Sequence, residues 1–301
     1  MIVAGLLTAV AVGLYWPGAT LLARARWSHR APRAAVLLWQ ATGIAGALAA
    51  VGAGLSVALA PLHQSVIDGL RSVMAQTRAG RPFQGLGLYA ALGLQLATDV
   101  TIVLVLGLSL TFVRTRRSRA RHRQLLRLVA CRTERAPGAL VLDDHRAAAY
   151  CLPGLRPQIV VSTGVLGRLT PDELSAVLAH ERGHAHGRHG IIMLPLASLD
   201  TLLGWVPYAR HAREQVAGLL EMAADDYAVR HIGREPLVSA LLGMAGFGAT
   251  PSCALGASSL GIPVRISRLR DPEHRSKHVA AWALVAAVAV VIVPVVGLLV
   301  R

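Results

Sequence analysis

His180-Glu181-Arg182-Gly183-His184 sets two imidazoles four residues apart, with a carboxylate beside the first. On a helix the two rings stand one above the other on one face and can reach a single cation. Glu181 sits one residue round, where it can touch water bound to that cation. Two neutral histidines, an open position and a carboxylate to take a proton are the parts of a zinc hydrolase. Five residues can match a pattern by chance, so the surrounding sequence has to position them. It does: Thr170 can cap a helix, Pro171 fits its first position, and Glu173 completes a capping box. Leu174, Val177 and Leu178 add an apolar stripe at helical spacing.

A site of this kind needs a third protein ligand. Glu221, 37 residues after His184, is the best candidate, in the helical stretch LLEMAADDYAVR. Asp225 lies one turn on and can accept the spare N–H of a ligating histidine. Without the histidine helix, Glu221, Asp225 and Asp226 would read as a solvated acidic face. His186 and His189 read as solvated or locally structural. Glu181 is the expected catalytic base and one Zn²⁺ per chain the expected cofactor. Tyr227 and His231 are the candidate oxyanion donors, and spacing does not choose between them. The short strands expected before the metal-site helix, GALVLD, AAAYCL and QIVVST, offer a sheet edge to a peptide substrate, with Ala147 to Leu152 as a candidate segment.

The elements around this site are those of a membrane protein. Hydrophobic residues make up 54% of the 301-residue chain and charged residues only 16%. Nearly uncharged runs at 1–23, 34–62, 85–113 and 279–300 are long enough to cross a bilayer. The first lacks a basic leader segment, which argues against a cleaved signal peptide. The net charge is +15, and Lys277 is the sole lysine. The segment 114–135 carries nine arginines against one glutamate and is expected on the cytoplasmic side. That places the N-terminus outside, the loop at 24–33 inside, the loop at 63–84 outside and the C-terminus outside. No aromatic residues interleave with the arginines, so anionic lipid is expected as their partner and direct nucleic-acid binding is not. Asp99, in the middle of the third run, is costly in a membrane, and its expected place is against other helices or a wet cavity unless it lies nearer an interface. Three cysteines without a C-x-x-C pair read as reduced thiols.

The remaining segment, 136–278, has an ordinary mixed composition. It reads as strands, then the metal-site helix, then a short apolar helical segment at 191–208 interrupted by Pro195 and Asp200. Helices at 210–230 and 234–247, a loop-like 250–263 and a basic 264–278 complete it. The expected fold class is therefore a membrane protein, mainly α, with four transmembrane helices. A cytoplasmic α+β zincin-like metallopeptidase domain sits between the third and fourth, after a basic linker at 114–135.

The string YCLPGLRPQIVVSTGVLGRLTPDELSAVLAHERGHAHGRH, followed by EMAADDYAV, resembles the BlaR/MecR group of integral-membrane gluzincin peptidases and, more distantly, the HtpX and CAAX-prenyl-protease types. The resemblance covers about residues 136–232 and the layout of three spans before the domain and one after. It implies zinc ligands at His180, His184 and Glu221, the base at Glu181 and a supporting carboxylate at Asp225. It also implies signal transduction through cleavage of a winged-helix, BlaI-like repressor. The group's penicillin-binding sensor needs S-x-x-K. The sole lysine, Lys277, has His274 three residues before it, so direct β-lactam sensing is not expected and a separate sensor partner is. The alternatives are membrane-protein quality control of the HtpX type and a non-proteolytic signalling scaffold.

Overall fold

A computed structural model of the chain describes residues 1–81, 87–246, 261–271 and 276–299. Most of the expected loop at 250–263, the start of the third apolar run, His274 and the last two residues lie outside these. Among the described residues, four helical stretches are long and apolar enough to cross a membrane. The first runs from Ile2 to Ala23, as α1 (Ile2–Gly13), a wider turn containing Pro17, and α2 (Ala19–Ala23). The others are α3 (Pro32–Ala58), α5 (Leu88–Val129) and α12 (Lys277–Leu299). Helices α3 and α5 cross closely. A Cβ on Gly54 would lie 2.8 Å from the Gly93 carbonyl oxygen, and one on Gly93 would lie 2.6 Å from that of Gly54. Only glycines let the two backbones approach this far.

Two expected loops are helical. The segment 63–84 contains α4 (Val66–Arg78), capped by the Ser65 hydroxyl on the Asp68 N–H. Helix α5 does not stop at residue 113. It continues through most of the basic linker as one 42-residue helix ending at Val129. Arginine is a good helix former, so the change from apolar to basic ends the hydrophobic run and leaves the helix intact. Asp99 lies on an exposed face of α5 and accepts a hydrogen bond from Gln95 at 2.7 Å, not packed against a neighbouring helix.

The chain then forms a four-stranded sheet of β1 (Ala130–Cys131), β2 (Ala139–Leu142), β3 (Ala149–Leu152) and β4 (Gln158–Ser162), in the order β1-β2-β4-β3. Strands β2 and β4 are parallel; β1 and β3 run antiparallel to their neighbours and form the two edges. The chain continues as α6 (Thr163–Leu166), α7 (Pro171–His186), α8 (His189–Leu203), α9 (Pro207–His231), α10 (Arg234–Gly246) and α11 (Ile262–Arg270). The basic 264–278 stretch is thus partly helical. One core joins the sheet, through Val141, Ile159 and Val161, to Leu174, Val177 and Leu178 of α7 and Ala240 and Met244 of α10.

A second core joins this domain to the apolar helices. Trp39 and Val36 of α3 pack with Met193 and Leu196 of α8 and with Val216, Leu219 and Met222 of α9. The Tyr208 hydroxyl donates to the Trp39 carbonyl at 2.8 Å, and the Gln40 amide donates to the Ile192 carbonyl at 2.8 Å. The domain is seated on the apolar helices through a shared hydrophobic core as well as tethered to them.

Candidate metal centre

Helix α7 begins as its sequence dictates. The Thr170 hydroxyl accepts from the Glu173 N–H, and the Glu173 carboxylate accepts from the Thr170 N–H. Its apolar stripe fixes the rotation of the helix against the sheet, which turns His180 and His184 toward α9 and leaves Glu181 beside them. All three are buried, Glu181 to 1% exposure. Gly183, an unspecified position of the motif, sets how close α9 comes. A Cβ there would lie 3.0 Å from the Ala224 Cα and 3.1 Å from the Tyr227 Cβ. This close crossing brings Glu221 and Asp225 over the two histidines.

The donor atoms converge. The Nε2 atoms of His180 and His184 are 3.1 Å apart, and Glu221 places Oε2 3.4 Å from the first and Oε1 3.3 Å from the second. Among the described residues, His180, His184 and Glu221 form the group whose ligand atoms lie within 4.8 Å of one another. A tetrahedral cation with bonds of about 2.0–2.1 Å requires its donors to be about 3.3 Å apart. The cluster therefore fits a small divalent cation, and its nitrogen and carboxylate donors suit one of intermediate softness.

Each group has a defined electrostatic setting. Burial alone would discharge His180, but contacts with Asp225 and Glu221 prevail and hold its pKa near about 10. Its Nδ1 is 2.9 Å from Asp225 Oδ1. Burial raises Glu181, against the opposing pull of His184 and His180, and its Oε2 has no hydrogen-bond partner. A buried carboxyl that binds protons more readily and has a free acceptor atom is suited to take a proton from water. Burial would raise Glu221 as well, but His184, His180 and Arg265 keep it well below the usual carboxylate range.

The sequence reading did not single out Arg265. This guanidinium of α11 is buried, pairs with Asp225 through two nitrogens and reaches Glu221 Oε2 at 3.2 Å. Nearby, Arg268 forks onto Asp226 at 3.0 Å through each nitrogen and donates its Nε to the His29 carbonyl. Asp226 is thus part of a buried ion pair, not a solvated face. His189 takes the structural of its two expected readings and not the solvated one: it is buried, with Nδ1 2.8 Å from His184 Nδ1. Burial and the neighbouring His184 push its pKa down to about 3. His186 is exposed, its ring beside Tyr227, as expected for a residue outside the cluster. Tyr227 stacks on the exposed His231, and neither ring is among the converging ligand groups.

Residues 115–245 match the family model of Peptidase family M48. That segment contains His180, Glu181, His184, Glu221 and Asp225, and ends before Arg265. The chain is 33% identical over 159 residues to the Plastoglobule-localized metallopeptidase 48 of Arabidopsis thaliana, covering 49% of this chain and 44% of that protein. It is 36% identical over 67 residues to the Protease HtpX homolog of Thermoplasma acidophilum, covering 22% of this chain and 21% of that protein. The chain thus spans less than half the length of either relative. No solved structure matches.

Proposed function

We propose that this chain is a membrane-embedded zinc endopeptidase of the M48 type, cutting protein substrates at the cytoplasmic face. The observation that carries the reading is the convergence of His180, His184 and Glu221 beside the buried Glu181, whose Oε2 has no hydrogen-bond partner, inside the segment that matches a peptidase family. His180, His184 and Glu221 would hold the zinc ion, which would polarise the scissile carbonyl and acidify a water molecule. Glu181 takes the proton from the attacking water and delivers it to the leaving amine. Asp225 orients His180, and Arg265 holds Asp225 and Glu221 in place. Arg265 pairs with both carboxylates and helps keep them anionic in a buried site. The edge strand β3 is the candidate for holding an extended substrate segment as an added strand. Tyr227 and His231 remain the candidate oxyanion donors on the Glu221 helix. The arginines of 114–135 and 24–33 support a cytoplasmic side for the site.

Two substrate classes have separate support. The HtpX-named relative favours turnover of membrane proteins. Three apolar helices precede the domain and one follows it; the resemblance of this layout to the BlaR/MecR group favours a BlaI-like winged-helix repressor, with a separate partner supplying the signal. The experiment is to purify the full chain in detergent, measure bound zinc, and follow cleavage of an unfolded membrane protein and of a candidate repressor. Glu181→Gln should keep zinc and lose cleavage by about 10²- to 10⁴-fold. Wild-type protein that binds no zinc overturns the metal centre. A zinc-loaded Glu181→Gln protein as active as wild type overturns the mechanism.

A further inference from the structure

We infer that His189 is a positioning residue: its imidazole accepts the spare N–H of His184 and fixes which nitrogen of His184 faces the metal. This rests on the zinc-centre reading above and adds a residue to it. The two Nδ1 atoms lie 2.8 Å apart, and the rings meet edge-on at 88°. A contact of that length between two nitrogens holds one proton, with one ring donating and the other accepting. His184 already points Nε2 at His180 and Glu221. Its Nδ1 must then carry the hydrogen, and His189 Nδ1 is the acceptor. The tautomer follows from the geometry of both ends of the ring.

The backbone is shaped to put His189 there. Helix α7 closes at Gly187, and Arg188 takes a left-handed conformation with φ 49°, where a side chain is disfavoured. That turn starts α8 with His189 folded back beneath His184. Gly187 leaves the space: its own backbone is ordinary, but a Cβ there would run into the Nε2 and Cδ2 of His189. The residue type at 187 is thus set by the His189 ring and not by φ.

The two ligating histidines therefore have unlike supports. His180 is backed by the Asp225 carboxylate, and His184 by a neutral imidazole. A neutral acceptor fixes orientation without adding another negative charge to a buried site that already holds Glu181, Glu221 and Asp225.

The test uses the full chain in detergent and reads zinc affinity by chelator competition, together with the visible spectrum of the cobalt(II)-loaded protein. His189→Leu should weaken zinc binding by about 10- to 100-fold and shift the cobalt bands. His189→Asn, which keeps an acceptor oxygen near the same place, should recover most of that loss. Gly187→Ala should weaken binding in the same direction by displacing the ring, and serves if the leucine variant does not fold. Wild-type protein without zinc affinity would instead overturn the metal centre itself. Tight wild-type binding with all folded variants within about threefold, and an unmoved cobalt spectrum, would leave the zinc site standing and overturn the role of His189.

Discussion

The guanidinium of Arg265 forks onto Asp225, with Nε 2.8 Å from Oδ2 and Nη2 2.6 Å from Oδ1. The same carboxylate meets His180, and the same arginine reaches Glu221. One cation thus holds two acidic groups that bear on the metal cluster. Removing it leaves buried charges uncompensated, which costs about 3–5 kcal/mol. Arg265→Gln should lower the thermal midpoint strongly and weaken zinc binding. Pairing it with Asp225→Asn should recover part of the stability but not the affinity. Arg265→Lys cannot form the fork and should resemble the glutamine variant. Melting curves and chelator competition on the four proteins check this.

Glu221 and Glu181 should separate binding from chemistry. Glu221→Ala removes a donor and should abolish tight zinc binding, and cleavage with it. Glu181→Gln keeps every donor and should retain zinc while losing the proton transfer. Metal content and cleavage rate on matched preparations should give opposite patterns for metal and the same loss for activity.

The cap of α7 gives a prediction in pH. The Ser239 hydroxyl and the Thr170 N–H hold the Glu173 carboxyl below its ordinary value of 4.5. A carboxyl whose folded pKa is depressed adds stability above the unfolded value and loses it as pH falls through the folded one. The difference in thermal midpoint between wild type and Glu173→Gln should therefore be full near neutrality. It should start to shrink as pH drops below about 4.5 and vanish in stronger acid. Thr170→Ala removes the other half of the box and should cost about 1 kcal/mol at neutral pH.

The α3–α5 crossing should fail when Gly93 gains a side chain. Any Cβ at this position meets the Gly54 carbonyl and the backbone of Ala58. Gly93→Val should destabilise the helix packing by about 1–3 kcal/mol. The readouts are a lower thermal midpoint in detergent and faster proteolysis of the segment between the helices.

Much of the site was legible because its rules are local. The capping box, the i, i+4 histidines and the Glu221–Asp225 pair each need only helical geometry over one or two turns. The strands at 139–142, 149–152 and 158–162 fell where short apolar runs between turn residues put them. What escaped depends on distant parts of the chain or on one unusual turn. Arg265 lies 40 residues beyond Asp225 in a basic stretch, where an arginine that will be buried looks like one that will be solvated. His189 looked peripheral because it follows Gly187, where the helix was expected to end. The left-handed turn at Arg188, which no local pattern announces, leads into the contact of the His189 ring with His184. The continuation of α5 was obscured by hydropathy, which reports where a chain meets lipid and not where a helix ends. In α4 the Ser65 cap was present in the sequence, but polar composition suggested a loop.

The unbroken α5 gives the protein a mechanical property. Its 42 residues form a rod about 63 Å long, with one end among the apolar helices and the other running directly into strand β1. Near the far end, Arg123 holds the Pro153 carbonyl, His122 meets the Tyr150 hydroxyl, and Leu126 packs under Leu152 and Val160. No hinge separates the apolar part of α5 from its contacts with β3, the strand proposed to receive substrate. A tilt imposed on the helix would therefore also displace the sheet, including the β3 edge proposed to hold substrate.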